Sequence, residues 1–552
     1  MHWFLAISLL CSLLHTSRAH HTEEYNEELT LRPLPDGKLA VRFSFTTLLK
    51  GARPRAPGSL NEEDESQHYT LFPLALGQIL REYALTELHL TLNAGRWDYD
   101  RWGYPDETGV GTGAELWAWM GEGAPTSVDQ RWKDTQNALA GLFCASLNGM
   151  NTQVTTSPTR AFPPAGDLPV LTTPHTHRLR HATLAAEHVC TENLTPFLKL
   201  LPCPARAGIA SLLMAHKIFD ADWHGLGVHV RWRADAGVEL ALTVQAVLDP
   251  VRISVEGRRD WSLRSIFDRT ISRPCPVANS SRIRVELPSI SGSAYSITPE
   301  PSNIDGSLAT YNVAEGLNEL DVALRWPGET SFTYPLDISR SSLSEFSVQR
   351  TLKGSSQTQG QISLVIRNNR PYEIRLLYLE TMPWHVEFYL HTLRVEIAGQ
   401  KHNNLVSNLT YTPPIPHFSP ALLQSVITLP PSATLFISMD ASKSFLRYTE
   451  HPPDAQRGWD LPPAVFVPLS NSNSTFVLDR ASRRWDGTRR VYTPAMLVDL
   501  PTPDFSMPYN VIIMSCTLIA LIFGSVFNLL TRKFVVTKLP GRADVRSDSV
   551  QR

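Results

Sequence analysis

The stretch HVCTENLTPF, residues 188–197, gathers several side chains that could do chemistry. His188 lies two residues before Cys190, and Asn193 heads an N-x-T sequon. On a strand His188 and Cys190 would share a face, and a histidine beside a thiol can take its proton. A thiol nucleophile also needs a third group to orient the base and donors for a developing oxyanion. The neighbouring residues supply neither. Three fates stay open for Cys190: a nucleophile, one half of an internal bridge, or an attachment point for something else.

Other candidates are weaker. His175, His177 and His181 contain an H-x-H pair, but a structural zinc site needs four ligands and nothing nearby has the spacing. Their Thr, Pro and Arg neighbours read as an exposed loop. His385 and His391 read as structural residues of a strand, and Trp117 and Trp119 as core or interface. The chain has no H-E-x-x-H, no G-x-S-x-G and no phosphate-binding glycine loop. Acidic residues are scattered, with no pair suited to acid–base work. No catalytic residue, metal-ligand set or cofactor site is expected.

The two ends indicate a compartment. Residues 1–19 carry an apolar run from Trp3 to Leu14, then Ser17 and Ala19, the pattern of a secretory signal peptide. Residues 511–531 hold an uncharged apolar run of about 30 Å as a helix, enough to cross a bilayer. Arg532, Lys533, Lys538, Arg542 and Arg546 follow, so residues 532–552 are expected in the cytosol and the body in the lumen. Asn193, Asn279, Asn408 and Asn473 all head sequons on the lumenal side. Asn193 is the doubtful acceptor, because Pro196 follows its threonine.

A net charge of −2 with no basic block argues against nucleic acid as a partner. Of six cysteines, Cys11 leaves with the signal and Cys516 lies in the span. Cys144, Cys190, Cys203 and Cys275 remain, and spacing cannot choose their pairing.

Positioning falls to strands. Leu29 and Leu31, then Val41, Phe43 and Phe45, alternate about the turn Pro35-Asp36-Gly37. Leu88, Leu90 and Leu92 repeat the period, as do Val228 to Val244 about Ala234–Gly237, Ile362 to Ile366, Phe388 with Leu390, and Leu435 with Ile437. Half-buried strands with polar outer faces predict antiparallel sheets. Helices are expected over 73–84, after a capping box at Ser127, and over 262–269. The fold class is mainly β with some α: antiparallel β-sandwich lumenal domains and one C-terminal transmembrane helix. The expected division is an N-terminal α+β domain (20–300), a linker region (301–360) and a C-terminal β-sandwich domain (361–498). A stiff, extended, Pro-rich connector (499–510) then leads to the span. These residues define a glycosylated single-pass protein with a binding or scaffolding role. A lumenal hydrolase or binding protein with its own unread site is the alternative.

Several stretches carry a family resemblance: HYTLFPLALGQIL (68–80), GAELWAWM (113–120), GLFCASLN (141–148), HVCTENLTPFLKLLPC (188–203), MPWHVEFYLHTL (382–393) and LPTPDFSMPYNV (500–511). With them the chain resembles the PIG-T family, a non-catalytic subunit of glycosylphosphatidylinositol (GPI) transamidase. The resemblance implies residence in the endoplasmic reticulum membrane. It implies a complex with a caspase-like cysteine-protease subunit and other membrane subunits, acting on a GPI lipid and proproteins. It also implies that Cys190 forms an interchain disulfide with that catalytic subunit. Some family members have a further cysteine pair where this chain reads Arg-Trp-Arg-Ala-Asp-Ala-Gly (231–237), so that bridge is missing here. If Cys190 leaves the chain, Cys144, Cys203 and Cys275 allow at most one internal pair.

Overall fold

The computed structural model describes residues 22–533, apart from 65–66, 172–175, 204–206, 289–293, 314–318, 335–343, 355, 452–457, 470–488 and 502–505. The signal peptide, His175, Asn473 and the tail from 534 onward lie outside the described residues. One compact unit holds the chain to Phe445 together with Pro452–Pro501; a second holds Leu446–His451 and the chain from Thr502.

The first half builds one large sheet. Its strands are β1 (Glu23–Pro33), β2 (Leu39–Lys50), β3 (Leu85–Gly95), β4 (Gly113–Gly121), β5 (Thr155–Thr156), β6 (His177–Leu184), β7 (Trp223–Arg233) and β8 (Gly237–Leu248). After β9 (Trp261–Ser262) come β10 (Ser280–Glu286), β11 (Ser296–Thr298), β12 (Asn303–Asp305), β13 (Leu308–Asn312) and β14 (Ala323–Arg325). The large sheet runs β12-β13-β10-β1-β2-β8-β7-β3-β4-β6-β5, and β11, β14 and β9 form a small one. Neighbours are antiparallel except β1 with β10, which are parallel. Both expected hairpins form. Leu29 faces Phe43 and Leu31 faces Val41 across the first, and Gly37 supplies the left-handed turn residue at φ +80°. The 301–360 stretch is not bare linker, since β12 and β13 extend the sheet edge. At three and five residues (Asn303–Asp305 and Leu308–Asn312) they are too short to show a periodicity.

Helices α1 (Leu74–Glu82), α2 (Val128–Phe143), α3 (Thr191–Lys199) and α4 (Leu263–Phe267) cover one face of this sheet. Ser127 Oγ accepts from Gln130 N to start α2, and Ser262 Oγ accepts from Ser265 N to start α4. Leu76, Leu80, Trp132, Leu139, Phe143, Leu194 and Phe197 share a buried core with Leu88, Leu90, Leu92 and Val228. Each fully buried Leu or Phe contributes about 1.5–3 kcal/mol. No helix was expected over residues 191–199, and Pro196 sits inside the one that forms.

The second half is antiparallel. Its strands are β15 (Phe346–Lys353), β16 (Gln359–Asn368), β17 (Ile374–Met382), β18 (Val386–Phe388), β19 (Arg394–Ile397), β20 (Gln400–Lys401), β21 (Val406–Thr412), β22 (Ala421–Leu429), β23 (Thr434–Lys443), β24 (Trp459–Leu461), β25 (Val465–Leu469), β26 (Val491–Tyr492) and β27 (Met496–Val498). One sheet runs β15-β16-β23-β19-β20, with β18 also on β23; another runs β21-β22-β17-β25-β26; β24 pairs with β27. His385 is buried in a turn and His391 is exposed in a short 3-10 helix, which corrects their placement on a strand.

The polar faces of the large sheet correct the expectation most. Glu87, His89, Thr91 and Asn93 alternate with the leucines of β3 and are as buried as they are. Leu377 and Leu379 of β17, Leu422 and Val426 of β22, and Val465 and Val467 of β25 join a core with Trp97, Trp117 and Trp223 on that reverse face. Glu87, His89 and Asn93 can turn inward there because side chains and backbone groups satisfy them: His89 contacts Glu87, and Asn93 Nδ2 donates to Gly109 O and Gly111 O.

In the second unit, α5 (Ser506–Thr531) contains the membrane-length apolar stretch Tyr509–Thr531. The expected extended connector is therefore helical from Ser506. Pro508 falls in its first turn, where a missing N–H costs little.

Candidate functional site

Cys190 is the N-cap residue of α3, extended at φ −136° and ψ 177°, and its side chain is exposed. Asn193, three residues on, is 1% exposed. Its Oδ1 accepts from Cys190 N at 2.7 Å, and its Nδ2 donates to Phe143 O at 2.9 Å and Cys144 O at 3.2 Å. One amide thus ties the start of α3 to the end of α2. A second tie lies alongside, where Ser146 N donates to Glu187 Oε1 at 2.8 Å. Val189, Leu194 and Phe197 anchor the segment in the core beneath. The thiol sits on a braced corner rather than a free loop.

Cys203 and Cys275 form a disulfide with Cα atoms 6.0 Å apart, 72 residues apart in sequence. This answers the open pairing and leaves Cys144 and Cys190 as the exposed thiols of the body. Cys144 occupies the left-handed C-cap of α2, at φ +52°. His188 and Cys190 precede α3 outside any named strand, both exposed on either side of the buried Val189.

Of the sequons, Asn279 and Asn408 are exposed and Asn193 is buried. Asn279 Oδ1 accepts from Tyr25 N at 3.1 Å. Asn408 lies in β21 at a register shift, with φ +49°.

A second concentration of titratable groups is wholly internal. His89 Nε2 contacts Glu87 Oε1 at 2.9 Å, and the two Nδ1 atoms of His89 and His229 are 2.9 Å apart. His229 Nε2 is 3.1 Å from Glu107 Oε1. Glu87 also accepts from Ala165 N and Gly166 N, and Glu107 from Thr243 Oγ1 and Gln245 Nε2. Gly227 leaves room for this chain: a Cβ there would stand 2.6 Å from His229 Nε2. Alongside, His181 Nε2 contacts Glu115 Oε1 at 3.1 Å, and Tyr492 OH donates to Glu115 Oε2 at 2.8 Å. His181 is therefore a buried strand residue and not part of an exposed loop; His177 is half-buried at the start of the same strand. Trp117 stacks on His89 at 3.8 Å, as core. The Arg490 guanidinium lies over Phe162 at 4.4 Å and Trp117 at 5.1 Å. Among the described residues no group of three or more His, Cys, Asp or Glu is arranged to hold a metal ion.

The fold and this corner define a class: a β-rich body bearing an exposed thiol on a braced helix cap, followed by one helix long enough to cross a membrane. The particular family is given by comparison. The chain belongs to the Gpi16 subunit family, a GPI transamidase component, whose pattern it matches over residues 7–259 and 253–547. It is 35% identical to the human GPI-anchor transamidase component PIGT over 549 residues, covering 93% of this chain and 91% of the human protein. It is 31% identical to the Schizosaccharomyces pombe GPI transamidase component PIG-T homolog (93% and 90% covered). It is 28% identical to the Saccharomyces cerevisiae GPI transamidase component GPI16 (95% and 91% covered).

Proposed function

We propose that this chain is a non-catalytic, structural subunit of the GPI transamidase complex, and that Cys190 joins it by a disulfide to the caspase-like catalytic subunit. The observation that carries the reading is the state of the cysteines. Cys203 and Cys275 are spent on each other, while Cys190 stands exposed on a corner held by Asn193 and Glu187. A rigid, exposed thiol suits an interchain bridge, because little motion is lost when the bond forms. The other membrane subunits are further partners, and the GPI lipid and proprotein substrates are met through the complex. In this reading the protein is a single-pass type I protein of the endoplasmic reticulum membrane with its body in the lumen. Arg532 and Lys533 directly after α5 support that orientation. Asn279, Asn408 and Asn473 are the proposed glycan acceptors. The exposure of the first two supports them.

Cys190→Ser is expected to abolish the covalent heterodimer while the fold and its melting transition stay unchanged, because the thiol is exposed and serine is a good residue for a helix N-cap. Non-reducing gels of the purified complex read this directly. A partner band that still co-migrates with the Ser variant would overturn the reading.

A further inference from the structure

Asn193 carries a sequon, yet nothing about its setting suits a glycan. Its side chain is 1% exposed, and both its amide oxygen and its amide nitrogen are bonded to backbone groups. Nδ2, the atom a glycan would occupy, donates to two backbone carbonyls at the end of α2, Phe143 O and Cys144 O. Oδ1 accepts from the N–H of Cys190, and Asn193 N donates to Cys190 O at 3.1 Å. Cys190 is thus gripped on both its backbone groups by a single residue.

We infer that Asn193 is an unglycosylated positioning residue, which holds the Cys190 backbone at a fixed place and direction so that its thiol meets the partner's cysteine. The inference rests on the reading of Cys190 as the interchain bridge and assigns that bridge its support. A disulfide tolerates only a narrow geometry, with Cα atoms about 4.4–6.8 Å apart. A cap free to swing would satisfy it rarely. A side-chain amide suits this place because it offers an acceptor to one strand of backbone and donors to another. Aspartate keeps the acceptor but sets an anion against two carbonyl oxygens. Alanine loses both. Glutamine has both groups but is one methylene too long for a closed site.

Three measurements on the full complex test this. Mass analysis of the native complex is expected to find Asn193 unmodified. A glycan there would overturn the proposal, whatever Cys190 does. Thr195→Ala destroys the sequon and leaves the Asn193 side chain in place. It is expected to change neither the mobility of the subunit nor the fraction of it bridged to the partner. Asn193→Ala is read as the bridged fraction among subunits that still co-purify with the partner, and a severalfold fall is expected. Asn193→Asp is expected to fall likewise, and serves if the alanine variant fails to assemble. A purely structural asparagine would lower yield but leave that fraction unchanged, which would overturn the positioning role. If Cys190→Ser leaves the covalent band intact, the underlying reading fails separately, and the glycan measurement is unaffected.

Discussion

Replacing Arg350 with alanine is expected to destabilise the body by about 3–5 kcal/mol, among the largest losses for a single residue remote from the thiol corner. Arg350 on β15 and Glu380 on β17 belong to different sheets of the second half, and both side chains are fully buried. Their ion pair crosses the interior between those sheets. Arg350 Nη1 also donates to Pro462 O at 2.8 Å, and Tyr378 OH donates to Glu380 Oε2 at 2.8 Å. Burial pushes the Glu380 carboxyl up, opposed by the Arg350 guanidinium. Without Arg350 the carboxylate must either stay charged in a dry site or take up a proton, and either outcome costs stability. The pair itself need not stabilise relative to apolar residues. Arg350→Met with Glu380→Leu and Tyr378→Phe is therefore expected to recover most of the loss, because no buried charge is then stranded and only Pro462 O loses its donor. Chemical denaturation of the purified complex, following this subunit, separates the cases. An Arg350→Ala variant as stable as the parent would show that the crossing pair does not hold the sheets.

That pair shows where sequence reading stops. Period-two runs such as Leu88, Leu90 and Leu92 announce strands, because alternation is local. Ser127 and Ser262 announce helix starts for the same reason, and Pro35-Asp36-Gly37 its turn. Arg350 and Glu380 lie 30 residues apart and meet across two sheets, with no local pattern to link them. Glu87, His89 and Asn93 look like a solvent face in sequence, since polarity at every second position says only that there are two faces. A covering layer supplied by β17, β22 and β25, roughly three hundred residues later, turns that face into an interior. At the thiol corner the membership was legible and the geometry was not. Cys190 and Asn193 stood out by type, but the helix they start was not expected, and the buried state of Asn193 depends on carbonyls contributed by α2. The pairing of Cys203 with Cys275 closes over 72 residues, which spacing alone cannot select.

Acid is expected to loosen the body where its two halves meet, beginning well above the range in which exposed carboxylates titrate. His89 is the reason. Burial is the main cause that pushes its imidazole from 6.5 down to about 4, helped by the charges of His229 and Arg490 and opposed by Glu87. The hydrogen bonds agree with a neutral ring: Nε2–H donates to Glu87, so Nδ1 is left to accept from His229. A second proton on His89 would set one N–H against another. The groups around it come from every packed element: Glu87 on β3, His229 on β7, Glu115 on β4, His181 on β6, Arg42 on β2, Glu107 before β4, and Arg490 before β26. The folded state thus binds its proton later than the unfolded chain. Stability is complete above pH 6.5, falls as pH drops toward about 4, and loses up to about 3 kcal/mol from this ring. Glu107 continues the trend. Burial raises its carboxyl, but His229, Arg42 and Thr243 outweigh that and hold it at about 2, so its contribution is lost below 4.5. His89→Gln removes the titrating ring. It is expected to be less stable than the parent near neutrality but to show a flatter decline between pH 6.5 and 4. Denaturation of parent and variant across that range measures both slopes. A parent curve that stays flat to pH 5, or a variant that declines as steeply, would remove His89 as the source. The same experiment on Cys190→Ser should trace the parent curve, because the thiol corner lies on the helical face of the large sheet and the histidines on the other.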